Sequence, residues 1–192
     1  MPLLTQRFED ALTFAARLHA RQKRKGSDIP YVSHLMAVAG LVLENGADED
    51  TAIAALLHDA IEDQGGAKMR EEIRRRFGDR VTAIVDGCTD AETIPKPPWR
   101  ARKEAYVAHI AHADAATRLV SAADKLHNAR AILADYRVLG EKLWKRFSGG
   151  KDGTLWYYRA LSNTFRQAGP NPMTEELDRV VAEIERLAQC SP

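Results

Sequence analysis

Thirteen consecutive residues constrain this chain more than any others: Thr51-Ala-Ile-Ala-Ala-Leu-Leu-His58-Asp59-Ala-Ile-Glu62-Asp63. Positions 51–57 are near-pure core material with no polar face, the pattern of a helix buried inside a larger helical assembly. That run leads directly into four ionisable side chains within six positions, 58–63. Helical spacing of three and four places 58 with 62, and 59 with 62 and 63, on one turn of one face. An imidazole and several carboxylates are costly to bury together unless something neutralises them. A divalent cation does so, because His nitrogen and Asp oxygen are both good ligands.

The remainder of the chain repeats its apolar residues at helical spacing, and no alternating β-branched strand run of any length occurs. Turn formers divide the pattern into helices near 5–24, 33–45, 48–64, 67–77, 78–87, 99–111, 114–134, 136–147, 152–168 and 173–189. The expectation is an all-α helical bundle of roughly eight to ten helices forming a single domain over residues 1–192. The turn Gly169-Pro-Asn-Pro172 merely introduces the last helix. Hydrophobic residues make up 45% of the chain, enough for a substantial core. The 28 basic and 27 acidic residues leave a net charge of +1, which argues against a nucleic-acid partner. No apolar run approaches the ~20 residues that span a bilayer, so no membrane partner is expected. Cys88 and Cys190 lack metal-site or disulfide-framework spacing and read as free thiols. No secretory pattern opens the sequence, and a cytoplasmic protein is expected. The oligomeric state is not legible.

The His58-Asp59 pair calls for further ligands. His34 follows Pro30-Tyr31-Val-Ser33 where a loop meets the start of an apolar helix. Asp124 emerges from the buried run Leu119-Val-Ser-Ala-Ala; on its own it also fits an ion pair with Lys125 or Arg130. His34, His58, Asp59 and Asp124 together offer two nitrogens and two carboxylates, a set suited to one Mn²⁺, Fe²⁺ or Zn²⁺ ion rather than Mg²⁺. Glu62 and Asp63 stand one turn beyond the pair, within reach of a water to be activated, and are the candidate catalytic acid–base groups.

The order H…HD…D resembles the HD-domain metal-dependent phosphohydrolases. The segments Arg24-Lys25, Pro30-Tyr-Val-Ser-His34, Ala54-Ala-Leu-Leu-His-Asp-Ala-Ile-Glu-Asp63 and Ala123-Asp-Lys-Leu-His-Asn128 resemble the hydrolase domain of RelA/SpoT-type alarmone enzymes, especially the small alarmone hydrolases. The likeness covers residues 21–130 and leaves the C-terminal helical part, 131–192, poorly matched. It implies removal of the 3′-pyrophosphate from (p)ppGpp or (p)ppApp, with Mn²⁺ held by His34, His58, Asp59 and Asp124. Glu62 and Asp63 would then position water and move its proton. Arg24, with Lys25 beside it, would stack on the purine. Tyr31 would pack beside the nucleotide, Asn128 would bond the ribose or a phosphate, and Lys96 and Arg102 would contact phosphates. No synthetase-type segment is recognisable, so degradation is the expected direction.

Two departures stand out. Gln64 replaces the Thr that commonly follows the Glu-Asp pair. Gly149-Gly-Lys151 lacks the upstream Gly and the Ser/Thr of a phosphate-binding P-loop; it reads as a helix start that brings Trp156 or Tyr157 into core packing or to a pocket rim. Guanine-versus-adenine preference, a different nucleotide phosphohydrolase such as a nucleotidase or NADPH phosphatase, and a non-catalytic nucleotide sensor all stay open at this level.

Overall fold

The computed structural model describes residues 4–90, 95 and 97–190. Among the described residues there is no β-strand, only an isolated bridge between Lys23 and Pro30. The helices are α1 (Gln6–Leu18), α2 (Val32–Glu44), α3 (Glu49–Leu57), α4 (Ala60–Gln64), α5 (Gly66–Phe77), α6 (Asp79–Cys88), α7 (Trp99–His112), α8 (Ala115–Leu139), α9 (Gly150–Ala168) and α10 (Pro172–Cys190), with a 3-10 helix over Gly140–Arg146. The all-α expectation holds. Among the described residues no helix is long and apolar enough to cross a membrane. The chain forms two compact units, one drawn from residues up to 96 together with 113–123, the other from 97–112 together with 124 onward.

In the first unit α3 is the central element. It packs against α1, α2 and α6, so no face is left for solvent, and every residue from Thr51 to Leu57 is buried. This is the physical reason for a helix without a polar stripe. Asp48 caps it, accepting from the Thr51 backbone N–H at 3.0 Å and from the Thr51 hydroxyl at 2.7 Å. Truncating a side chain such as Leu56 or Leu57 to Ala in such a place costs about 2–5 kcal/mol.

In the first unit two boundaries differ from the sequence expectation. The first helix ends at Leu18 rather than near residue 24. Beyond it, Tyr31 N–H donates to Gln22 O (2.9 Å) and Arg24 N–H donates to Ile29 O (2.8 Å). Backbone groups that would continue the helix are taken by the returning segment, and Gly26 makes the turn at φ +76°. The long helix expected through His58 is also two: α3 stops at Leu57 and α4 begins at Ala60. The His58 ring donates from Nδ1 to Ala55 O at 2.8 Å, replacing a backbone donor at the end of α3.

In the second unit α9 packs against α7, α10 and the 3-10 helix. The 3-10 segment stands where an α-helix over 136–147 was expected, because α8 runs on to Leu139 before Gly140 turns the chain at φ +55°. The Gly149-Gly150 segment starts α9: Gly150 turns the chain at φ +61°, and Gly149 has a packing role that the later Gly153 shares. A Cβ on Gly149 would come 2.6 Å from the Trp99 ring, and one on Gly153 would come 3.0 Å from it. Trp99 also meets Trp156 and Tyr157 edge-on, at centroid distances of 6.4 and 6.3 Å. Tyr157 is buried, and the Arg100 guanidinium lies 3.3 Å over the Trp156 ring. Tyr157 thus packs in the core, while Trp99 and Trp156 are half-buried beside it.

Gly149→Ala is expected to overpack this contact by about 1–3 kcal/mol, lowering the melting temperature by roughly 3–10 °C. Gly40→Ala, inside α2 with open space around the added methyl, is expected to shift it upward by a few degrees. Opposite signs in a calorimetric scan are the check.

Candidate metal centre

His34, His58 and Asp59 come from two segments of the chain and meet at one point. His34 sits in the first turn of α2, after Tyr31, and is fully buried. His58 and Asp59 form the junction between α3 and α4. Each offers one ligand atom, and these atoms lie within 4.8 Å of one another. Asp59 Oδ2 is 3.0 Å from His58 Nε2 and 3.8 Å from His34 Nε2. The two imidazoles meet edge to face, with centroids 5.2 Å apart.

The donor chemistry fits a cation. A backbone carbonyl can only accept, so the bond to Ala55 O puts the proton of a neutral His58 on Nδ1 and a lone pair on Nε2. That lone pair, on a buried ring, faces a carboxylate oxygen of the half-buried Asp59 at 3.0 Å. A divalent ion relieves this confrontation, and the Nδ1 bond to a carbonyl is the usual device for orienting a ligating histidine. Tyr31 adds a second support: its hydroxyl donates to Asp59 Oδ2, while its ring packs on His34 at 5.5 Å and stacks on His19 at 5.3 Å. Tyr31→Phe is expected to lower Mn²⁺ affinity by about 10–100-fold, the scale for losing such an outer contact, with helix content unchanged. Titration followed by Mn²⁺ paramagnetic resonance reads it.

Asp124, the fourth expected ligand, lies on α8 in the second unit. It is buried, bonded by the Lys125 ammonium and by Asn128 Nδ2 at 2.5 Å. The ion pair with Lys125 that the sequence left open is thus present, whereas Arg130 pairs with Glu176 instead. Burial works against the Lys125 charge, but Asp124 and the nearby Tyr157 and Tyr106 hydroxyls hold its pKa well above the ordinary lysine value.

Glu62 and Asp63 both lie on α4, Glu62 half-buried and Asp63 exposed. Asp63 opens onto a cleft of ≈ 530 Å³ lined also by Arg17, Leu18, Ala20, Arg21, Gln22 and Gln64. Arg24 lies with its guanidinium 5.9 Å from the Tyr31 ring centre, and Lys25 is exposed in the same loop. Arg102 is half-buried on α7 and Asn128 half-buried on α8, both in the second unit. Lys96 lies outside the described residues. Sequence reasoning passed over His19 and Gln22, which the fold places beside Tyr31 and Asp63. Their only linear signal is that both fall just before the expected nucleotide loop.

This site and fold define a class. The family model of the HD domain matches residues 11–154, and the chain belongs to that family. Among its relatives, the guanosine-3′,5′-bis(diphosphate) 3′-pyrophosphohydrolase MESH1 of Xenopus tropicalis is 40% identical over 124 residues, 63% of this chain and 66% of that protein. A GTP pyrophosphokinase of Streptomyces coelicolor is 37% identical over 128 residues, 66% of this chain but 15% of that protein. The matched stretches thus span somewhat under two thirds of the first relative and a small part of the second. A solved structure, described as a metazoan ortholog of SpoT that hydrolyzes ppGpp, superposes with a TM-score of 0.76 at 26% identity, covering 95% of this chain and 96% of that one.

Proposed function

We propose that this chain is a metal-dependent hydrolase that removes the 3′-pyrophosphate from a purine alarmone nucleotide, (p)ppGpp or (p)ppApp, in the cytoplasm. The observation that carries the reading is the His34–His58–Asp59 cluster with Glu62 and Asp63 one turn beyond it. The activities named for the MESH1 relative and for the SpoT ortholog support the same substrate class.

His34, His58, Asp59 and Asp124 would hold one Mn²⁺ ion. When bound, the ion supplies Lewis-acid polarisation of the phosphoryl group and acidifies water. The remaining work falls to side chains. Glu62 and Asp63 orient a water toward the phosphorus attached to the ribose 3′-oxygen, and one of them accepts its proton. The water oxygen bonds to that phosphorus as the P–O bond to the 3′-oxygen breaks, the carboxylic acid so formed returns the proton to the 3′-oxygen, and inorganic pyrophosphate leaves. Arg24 stacks on the purine, Tyr31 packs beside the nucleotide, and Lys25 adds charge. Asn128 bonds the ribose or a phosphate, and Lys96 and Arg102 take the phosphates.

The test is a substrate panel with added Mn²⁺, resolved by product. Pyrophosphate release from ppGpp or ppApp is the expected result, and the ratio of the two rates gives the purine preference. Orthophosphate release from a mononucleotide or from NADPH would assign a different HD-domain phosphohydrolase. Tight nucleotide binding with no turnover of any substrate would make the protein a sensor.

A further inference from the structure

We propose that Gln22 is the positioning residue for Asp63, held in the one amide orientation that serves this purpose by His19 and Gln64; the inference rests on the catalytic role given to Asp63 above. Asp63 is exposed on a five-residue helix, so its own surroundings leave its carboxylate free to sample several rotamers. Gln22 Nε2 donates to Asp63 Oδ2 at 2.8 Å from the far side of the chain, 41 positions away.

An amide side chain is nearly symmetric in shape, and a flip would set its oxygen against the carboxylate. Two donors prevent the flip. Gln64 Nε2 donates to Gln22 Oε1 at 2.8 Å, and His19 Nδ1 lies 2.6 Å from the same oxygen; because an amide oxygen can only accept, the ring nitrogen facing it carries a proton. With the oxygen occupied twice, the amino end must face Asp63. His19 is itself immobile: it caps the C-terminus of α1, is 2% exposed, and stacks on Tyr31 at an interplanar angle of 27°. The brace therefore runs from a buried ring through one amide to a carboxylate on the cleft wall. It also accounts for the residue after the Glu-Asp pair, since the Gln64 side chain is long enough to reach Gln22 and complete the orientation.

Positioning of this kind affects turnover rather than substrate binding, and misplacement by about 1 Å costs on the order of 10²-fold. Gln22→Glu is the discriminating variant. It keeps the oxygen that His19 and Gln64 bond and replaces only the atom facing Asp63, setting two carboxylates against each other. At pH 8 kcat for the 3′-pyrophosphate nucleotide is expected to fall about 10–100-fold, with KM changed less than about twofold. In an Asp63→Asn background the same change is expected to cost less than about twofold further, because the residue it acts through is already gone. Equal losses in the two backgrounds would overturn the proposal.

A second readout needs no activity. Gln22→Glu is expected to lower the melting temperature by about 2–4 °C. Adding Asp63→Asn, whose amide can donate to the new carboxylate, is expected to restore it to within about 1 °C of Asp63→Asn alone. A melting loss that Asp63→Asn leaves unrepaired would show that position 22 does not bear on position 63. Wild-type protein inactive on every 3′-pyrophosphate nucleotide, yet showing this rescue, would remove the functional reading and keep the contact. Absence of the rescue in active protein would remove the positioning role alone.

Discussion

Replacing His58 with alanine is expected to strip the protein of Mn²⁺ and to reduce turnover of a 3′-pyrophosphate nucleotide by at least about 10³-fold. Lewis-acid stabilisation of a phosphoryl transition state is worth several kcal/mol, and about 1.4 kcal/mol corresponds to each factor of ten. The loss does not depend on charge alone. His58 is held by Ala55 O with its Nε2 aimed at the oxygen of Asp59, so the ligand position depends on this one ring and its backbone anchor. The ring is buried, and its removal leaves a cavity in the first unit. His58→Asn fills most of that space and serves as the companion variant. Both should keep their helical circular dichroism at 20 °C. Stoichiometric Mn²⁺ retained by either variant, measured by elemental analysis after gel filtration, would mean that the ion is held elsewhere.

The second large effect separates proton transfer from ligation. Glu62→Gln and Asp63→Asn are expected to lower kcat by about 10²–10⁴-fold, the range for general acid–base groups, while Mn²⁺ content and substrate KM stay within about twofold. The structure motivates the separation: Glu62 and Asp63 sit on α4, and the three ligand atoms that converge come from His34, His58 and Asp59 instead. Loss of metal in either variant would make that carboxylate a ligand and require another group for proton transfer. Tyr31→Phe provides the complementary pattern, with metal affinity lowered through Asp59 and Glu62 and Asp63 untouched. The two sets of variants therefore diverge in a metal titration even where their activities fall alike.

Much of this was legible in the linear chain, and for identifiable reasons. The buried character of α3 follows from seven consecutive core residues, which admit no amphipathic alternative. Asp48 before α3 and Gly65 after α4 mark their ends through local chemistry, a side-chain cap and a glycine at φ +143°. The adjacency of His58, Asp59, Glu62 and Asp63 needs only helical spacing, and His58 and Asp59 keep right-handed helical dihedrals across the break after Leu57.

Other features had no local signal. That α1 stops at Leu18 depends on Gln22 and Arg24 pairing with residues 29–31, contacts that exist only once the loop has closed. That Gly149 and Gly153 are glycines for the sake of Trp99, some fifty positions earlier, is a matter of packing volume that no linear spacing encodes. The same holds for His19, Gln22 and Gln64, whose bonds to one another and to Asp63 cross between separate segments. The sequence by itself gathered His58, Asp59, Glu62 and Asp63 at the end of an apolar helix, where helical spacing alone crowds them together and a cation would offset the cost of burying such groups. Only the tertiary structure decided which uncharged side chains aim them, because orientation is set by partners distant along the chain.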